Sequence, residues 1–174
     1  MKEADTMKIL IDNKNNLKDS QMTDFVRKVK LLIVNSNNEI LLAYQRNGYE
    51  FPGGTNEPGE DLSKTVLREL QEETGIELKS TNIEPFACLK GYYKDWPEKD
   101  RNKLIEIFYY ELKTDEKPNM DNINLTENEK KGNFSLKYIN LSEVEEVVKK
   151  NMKIYGDDRG IAKDMLKVLD IYKN

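Results

Sequence analysis

Glu69, Glu72 and Glu73 fall within five residues, just after a turn rich in glycine and proline, Gly53-Gly54-Thr55-Asn56-Glu57-Pro58-Gly59. Carboxylates crowded this closely repel one another unless a cation sits among them. Hard oxygen donors with few other ligand types suit Mg²⁺ or Mn²⁺. The rest of the composition narrows the chemistry further. There is no histidine, which removes Ser-His-Asp and Cys-His catalysis and every histidine-containing zinc site. The one cysteine, Cys88, lies in the apolar run Phe86-Ala87-Cys88-Leu89 and reads as a buried structural thiol. A lone cysteine forms no internal disulfide, which fits a reducing cytoplasm.

The element that must carry the carboxylates is a helix. Asp61 stands where an N-cap belongs and Gly75 where a C′ residue belongs, so the helix is expected over residues 62–74. At about 100° per residue, Leu62, Val66 and Leu70 make a stripe ~80° wide. Glu73 falls inside that stripe, Glu69 about 20° outside its edge, and Glu72 about 60° further round. A solvated acidic face would place the glutamates opposite the apolar stripe. Here two of them lie on it or beside it, where an uncompensated charge is costly.

Gly54 to Ile76, with Glu60, Arg68-Glu69-Leu70, Glu72-Glu73 and Gly75-Ile76 at their spacings, resembles the Nudix box, the signature of the Nudix hydrolase (MutT-like) superfamily. Phe51-Pro52-Gly53-Gly54 extends the resemblance. It implies an α/β/α sandwich with a mixed sheet, and divalent-metal-dependent hydrolysis of a nucleoside diphosphate linked to another moiety. It implies Glu69 and Glu73 as metal ligands, Glu72 as a further ligand or supporting group, and the Gly53 carbonyl as an extra donor to Mg²⁺ or Mn²⁺. Gly54, Glu60, Arg68 and Gly75 are the structural members, with an Arg68–Glu60 pair tying loop to helix and keeping Arg68 off the ligands. Family members differ in their general base. Glu69 is the choice within the helix, with Glu72 also a catalytic candidate, and Glu127 and Glu129 are the distant candidates in the polar loop before the 134–139 strand. Glu106 either faces solvent or joins the site as another acidic ligand.

The substrate is less sharply marked. Tyr92 and Tyr93 stand at the offset beyond Ile76 where family members acting on dinucleoside polyphosphates often carry tyrosine. The proline that marks many ADP-ribose hydrolases near this offset is absent. One of the two tyrosines should face the site and stack on a base, while its neighbour packs in the core. Trp96 is a second stacking candidate, Phe51 belongs to the substrate side, and Arg46 is a candidate for a terminal phosphate. The resemblance thus leans toward dinucleoside polyphosphates or nucleoside triphosphates, with ADP-ribose or nucleotide sugars as the alternative. A non-catalytic nucleotide-sensing module is the other alternative, although such proteins usually lose box glutamates. Isoprenoid diphosphate isomerases of the same fold need histidines and a catalytic cysteine, so that reading is nearly excluded.

The positioning elements follow from periodicity. Strands are expected at residues 7–11, 25–34, 39–45, 83–93, 104–112 and 134–139, with a hairpin turn at Asn35-Ser36-Asn37-Asn38. The strand ending at Gln45 should deliver Arg46 and Tyr49 toward the glycine loop. Helices are expected after Ser142, read as an N-cap, and around Ile161, Met165, Val168, Leu169 and Tyr172. Residues 1–23 read as an extension acting as a tail, an edge strand or a dimer contact, and residues 24–174 as one Nudix domain. A homodimer is left open. The net charge of −4 argues against nonspecific nucleic-acid binding, and no signal-peptide pattern or membrane-length apolar run is present. A cytoplasmic enzyme acting on a nucleotide-type diphosphate is the expectation.

Overall fold

The computed structural model describes residues 6–79 and 83–174. Seven strands form a single mixed sheet: β1 Lys8–Asp12, β2 Asp24–Val34, β3 Glu39–Gln45, β4 Gly48–Glu50, β5 Pro85–Tyr93, β6 Lys103–Lys113 and β7 Ser135–Asn140. The helices are α1 Leu62–Thr74, α2 Glu127–Lys131, α3 Val144–Tyr155 and α4 Ile161–Lys173. The sheet order is β1-β5-β6-β2-β3-β4, with β7 on the other side of β3. β1 runs parallel to β5, and β2 parallel to β6; the remaining pairs are antiparallel.

The alternation in β2 sorts two cores. Val29, Leu31 and Ile33 meet Leu41, Tyr110 and Leu112 beneath Val66 and Leu70 of α1. Leu32 and Val34 join Ile40, Leu42, Ala87, Leu89 and Tyr109 beneath Val144 and Val148 of α3 and Met165, Val168 and Leu169 of α4. Each fully buried large apolar side chain contributes about 1.5–3 kcal/mol, so two covered faces suffice for a stable sandwich. Among the described residues no helix is long and apolar enough to cross a membrane.

β2 and β3 pair only at Ile33–Leu41 and Val34–Ile40 before they separate. The glycine loop takes the edge of β2 that β3 leaves open. Val29 N–H donates to the Gly54 carbonyl at 3.0 Å, Leu31 N–H to Pro52 at 2.8 Å, and Asn56 N–H to Arg27 at 2.9 Å. The loop is therefore stitched into the sheet, which fixes it against the start of α1.

Some expectations need correction. Helix α3 begins from Glu143, and Ser142 instead donates its N–H and hydroxyl to the Asn140 side chain. The three-residue β4 was not anticipated. Neither was α2, which replaces the expected loop around Glu127 and Glu129.

Candidate active site

α1 spans the expected residues. Asp61 holds the extended N-cap backbone, though its side chain makes no capping bond, and Gly75 ends the helix in the left-handed region. The buried residues of the helix are Thr65, Val66, Glu69, Leu70, Glu73 and Thr74, so two glutamates share the packed face. Glu73 is 4 % exposed, and one carboxylate oxygen accepts the Gly53 N–H at 2.8 Å. Burial pushes its carboxyl up to about 8, against the relief given by Lys30 and by Gly53. Burial also raises Glu69, although Arg68 pulls it down.

The Gly53 peptide is held from both ends. Its N–H goes to Glu73, and its carbonyl accepts from the Lys30 ammonium at 2.7 Å. Lys30 also donates to the Phe51 carbonyl at 2.9 Å and to Glu50 at 3.1 Å. Burial alone would lower the Lys30 ammonium, but Glu50 and Glu73 outweigh it and hold it above its usual range. Glu50 is fixed in turn by Gln45 at 2.7 Å and lies 3.9 Å from Arg159. Lys28 lies in the field of Lys30, Glu50 and Arg159, with its ammonium depressed first by burial and then by Lys30. Acid on the α1 side thus faces a row of cations on the α4 side, with the Gly53-Gly54 peptides between.

Gly53 has a φ of +130°, and an added Cβ would run into the Val29 carbonyl. At Gly54 a Cβ would land on the Glu69 carboxylate. The backbone and the carboxylates therefore approach as closely as a chain without side chains permits.

Arg68 makes the expected bond to Glu60, through Nε at 3.0 Å and Nη2 at 3.0 Å, and binds the Thr55 carbonyl at 2.9 Å. The Arg68 bonds hold the Glu60 carboxyl down to about 2. The expectation that this pair keeps Arg68 off the other glutamates is corrected. Nη1 reaches Glu69 at 2.8 Å and Glu72 at 3.1 Å, because the flat guanidinium has donors to spare after serving Glu60.

The donor set of Glu69, Glu72, Glu73 and the Gly53 carbonyl consists of oxygens alone, as Mg²⁺ or Mn²⁺ requires. Two of its carboxylates are buried and lack enough positive charge to sit at their ordinary pKa. The residues fit a divalent cation on those grounds. Their side chains do not yet converge on one point: among the described residues no three acidic groups are spaced to hold an ion. Arg68 occupies the space between Glu69 and Glu72, and Lys30 holds Gly53.

The other candidates are placed as follows. Phe51 is buried, edge-on to Tyr109 at 6.3 Å, and lines a small cavity with Lys30, Glu50, Ile107, Ile161, Asp164 and Met165. Arg46 sits in the β3–β4 turn and is bonded to the carbonyls of Gly132 through its N–H and of Asn128 through its guanidinium. It faces α2 and not the glycine loop; Gln45 is the residue that turns inward. Tyr49 packs on Tyr44 at 4.8 Å. Glu129 spends its carboxylate on the Thr126 N–H, capping α2, and Glu127 pairs with Lys130. Glu106 joins neither solvent nor the acidic cluster. It is clamped by Lys90 at 2.8 Å and Arg27 at 3.1 Å.

The tyrosine pair also differs from expectation, since neither ring enters the core. Tyr92 donates to Asp19 at 2.7 Å on the α1 side of the sheet. Tyr93 remains 40 % exposed, its ring 5.9 Å from that of Trp96 and within the field of Asp164. Neither tyrosine belongs to either core cluster, so at this end of β5 the alternation has no core to point into.

Sequence reasoning passed over Lys28, Lys30, Glu50 and Arg159. A signal existed for Lys30, because it shares the register of the buried Leu32 and Val34, where a lysine needs partners.

A family model for the NUDIX domain matches residues 24–157. The chain belongs to the Nudix family. It is 49% identical over 51 residues to 8-oxo-dGTP diphosphatase of Escherichia coli (strain K12), covering 26% of this chain and 40% of that protein. It is 45% identical over 47 residues to nucleoside diphosphate-linked moiety X motif 6 of Mus musculus, covering 27% of this chain and 13% of that one. The matched stretches thus span less than half of these relatives. Among solved structures, the E. coli ORF135 protein has a TM-score of 0.56 at 19% identity, over 90% of this chain and 94% of that one. The MutT protein of Methanosarcina mazei Go1 has a TM-score of 0.52 at 19% identity, over 87% and 96%. These structural likenesses establish the fold.

Proposed function

We propose that this Nudix enzyme is a divalent-metal-dependent hydrolase of nucleoside triphosphates, cleaving a pyrophosphate bond held between Glu69, Glu72 and Glu73 on one side and Lys28 and Arg159 on the other. The observation that carries the reading is that juxtaposition of buried acid and cations across Gly53-Gly54, in a chain whose net charge of −4 would otherwise repel a polyphosphate. A Mg²⁺ or Mn²⁺ ion, when bound by these glutamates and the Gly53 carbonyl, supplies charge neutralisation at the non-bridging oxygens. In this reading Glu69, whose carboxyl is raised by burial, accepts a proton from the attacking water. Lys28 and Arg159 hold the outlying phosphates, while Lys30 fixes the Gly53 peptide. The small cavity beside Lys30, walled by Phe51, Tyr109 and Met165, lies on the cation side of the glycine loop and marks the side from which the nucleoside approaches.

The bacterial 8-oxo-dGTP diphosphatase that this chain resembles over 51 residues favours a triphosphate. A second reading, dinucleoside polyphosphates, is favoured by the Tyr93–Trp96 ring pair, which could stack a second base near Asp164. One phosphate-release panel tests both. It covers nucleoside triphosphates, diadenosine polyphosphates, ADP-ribose and nucleotide sugars, each with Mg²⁺ and with Mn²⁺. Metal-dependent turnover highest on triphosphates is expected. Preference for diadenosine polyphosphates selects the second reading. Tight nucleotide binding with no turnover on any substrate would leave a sensing module.

A further inference from the structure

β1 is the last strand of the sheet. Its inner edge pairs with β5 over all five residues, from Lys8 opposite Ala87 to Asp12 opposite Gly91. Its outer edge has no backbone partner among the described residues. Such an edge is a template for another strand, and proteins usually blunt it with bulges, cover or repelling charge. β1 does the reverse: Ile9 and Ile11 are 54% and 67% exposed on the α1 side of the sheet. On the opposite face Leu10 packs partly into the core, flanked by Lys8 and Asp12, and neither of those charged residues has an ion-pair partner among the described residues.

The strand Lys-Ile-Leu-Ile-Asp keeps its apolar pattern when read backwards, and its two charges exchange sign. Antiparallel pairing with a second copy about a two-fold axis at Leu10 therefore satisfies every position. Ile9 meets the partner's Ile11, Leu10 meets the partner's Leu10, and Lys8 meets the partner's Asp12, each pair on one face of the joined sheet. Moving the register leaves the charges without their partners, and a shift of one residue also sends each isoleucine to the wrong face. Parallel pairing in register sets Lys8 against Lys8. One register thus stands out from all others.

We propose that the outer edge of β1 is a homodimer interface, in which two copies pair antiparallel about Leu10 and join their two seven-stranded sheets into one. The contact is isologous, so it closes on itself as a dimer and does not propagate. It also reaches the cavity wall. Asp12 lies in the field of Asp164 and Tyr93, so the partner's Lys8 brings a cation to that acidic corner.

Charge exchange tests the register. Sedimentation of the full chain is followed from about 1 µM to about 1 mM, the range of weak to moderate association. The wild type is expected to dimerise, and to do so less well in high salt. Lys8→Asp alone sets two acidic pairs across the axis, and Asp12→Lys alone sets two basic pairs. Each should weaken dimerisation on the order of tenfold or more. An equimolar mixture of the two single variants should form a heterodimer, because the mixed pair restores opposite charges at both ends. The double variant Lys8→Asp/Asp12→Lys should recover wild-type association. Thermal melts of all three variants check that the exposed substitutions leave the fold intact. A wild type that stays monomeric throughout, single variants that associate as the wild type does, or a mixture that fails to associate would each overturn the proposal.

Discussion

Glu73 is an acid held where water cannot solvate its charge, and the protein supplies it with one peptide N–H and the field of Lys30. Its carboxyl stands at about 8, against an ordinary value of 4.5. A raised carboxyl favours the protonated form in the fold. Without metal, its contribution to stability is complete below pH 4.5 and is lost as pH rises through about 8. The metal-free melting temperature should fall across that window, and Glu73→Gln should flatten the fall. The same variant should lose on the order of a thousandfold in metal-supported turnover, measured at saturating substrate, because several kcal/mol of charge stabilisation disappear. Lys30 is the counterpart. Lys30→Met strands Glu50, whose side chain is 9% exposed, and should cost about 3 kcal/mol or more in denaturant unfolding. Adding Glu50→Gln should recover part of that loss, since the uncompensated charge goes with it. These two residues also mark what sequence could and could not reveal. The box glutamates are conspicuous because their spacing is local. Lys30 and Glu50 come from separate strands, and only the fold brings them to one peptide.

At the scale of elements, the glycine loop has two neighbours of different stiffness. A side chain at Gly53 would meet the backbone of β2, which cannot retreat, at a φ that L residues rarely adopt. A side chain at Gly54 would meet only the end of Glu69, which can swing aside. Gly53→Ala should therefore lower stability by about 1–3 kcal/mol. Gly54→Ala should melt within about 1 kcal/mol of the wild type and still lose most activity, because Glu69 is displaced. Comparing melts with turnover separates the two. α1 was legible to its end residues because the apolar stripe and Gly75 act within the element, although the Asp61 side chain makes no capping bond. α2 was not read, though Thr126 and Glu129 form a capping box whose three-residue spacing was visible. With five residues, the helix has no apolar period to announce it. β4 escaped for the same reason, and the fate of Tyr92 and Tyr93 depended on where the core stops, which no strand records in its own alternation.

For the whole molecule, the proposed reading sets acid against base across the sheet's split edge, and a metal bound there would be a folding ligand as well as a reactant's partner. A ligand that binds only the native state at about 100 times its dissociation constant adds ~2.7 kcal/mol. The melting temperature should rise with Mg²⁺ or Mn²⁺, and Glu69→Gln with Glu73→Gln should abolish the rise. A rise that persists in the double variant would place the ion elsewhere. Cys88 will not complicate such measurements, since burial pushes its thiol up to about 11.

Trp96 is the sole tryptophan of the chain. It stands 48% exposed, with the Lys103 ammonium 4.1 Å over its ring and Tyr93 beside it. All indole emission therefore originates from one corner, near Asp164 and the last turn of β5. A nucleotide that stacks there quenches that light directly, while one that binds only among the glutamates leaves it unchanged. The molecule thus carries its own optical reporter, able to tell in a simple titration which end of a substrate reaches which end of the site.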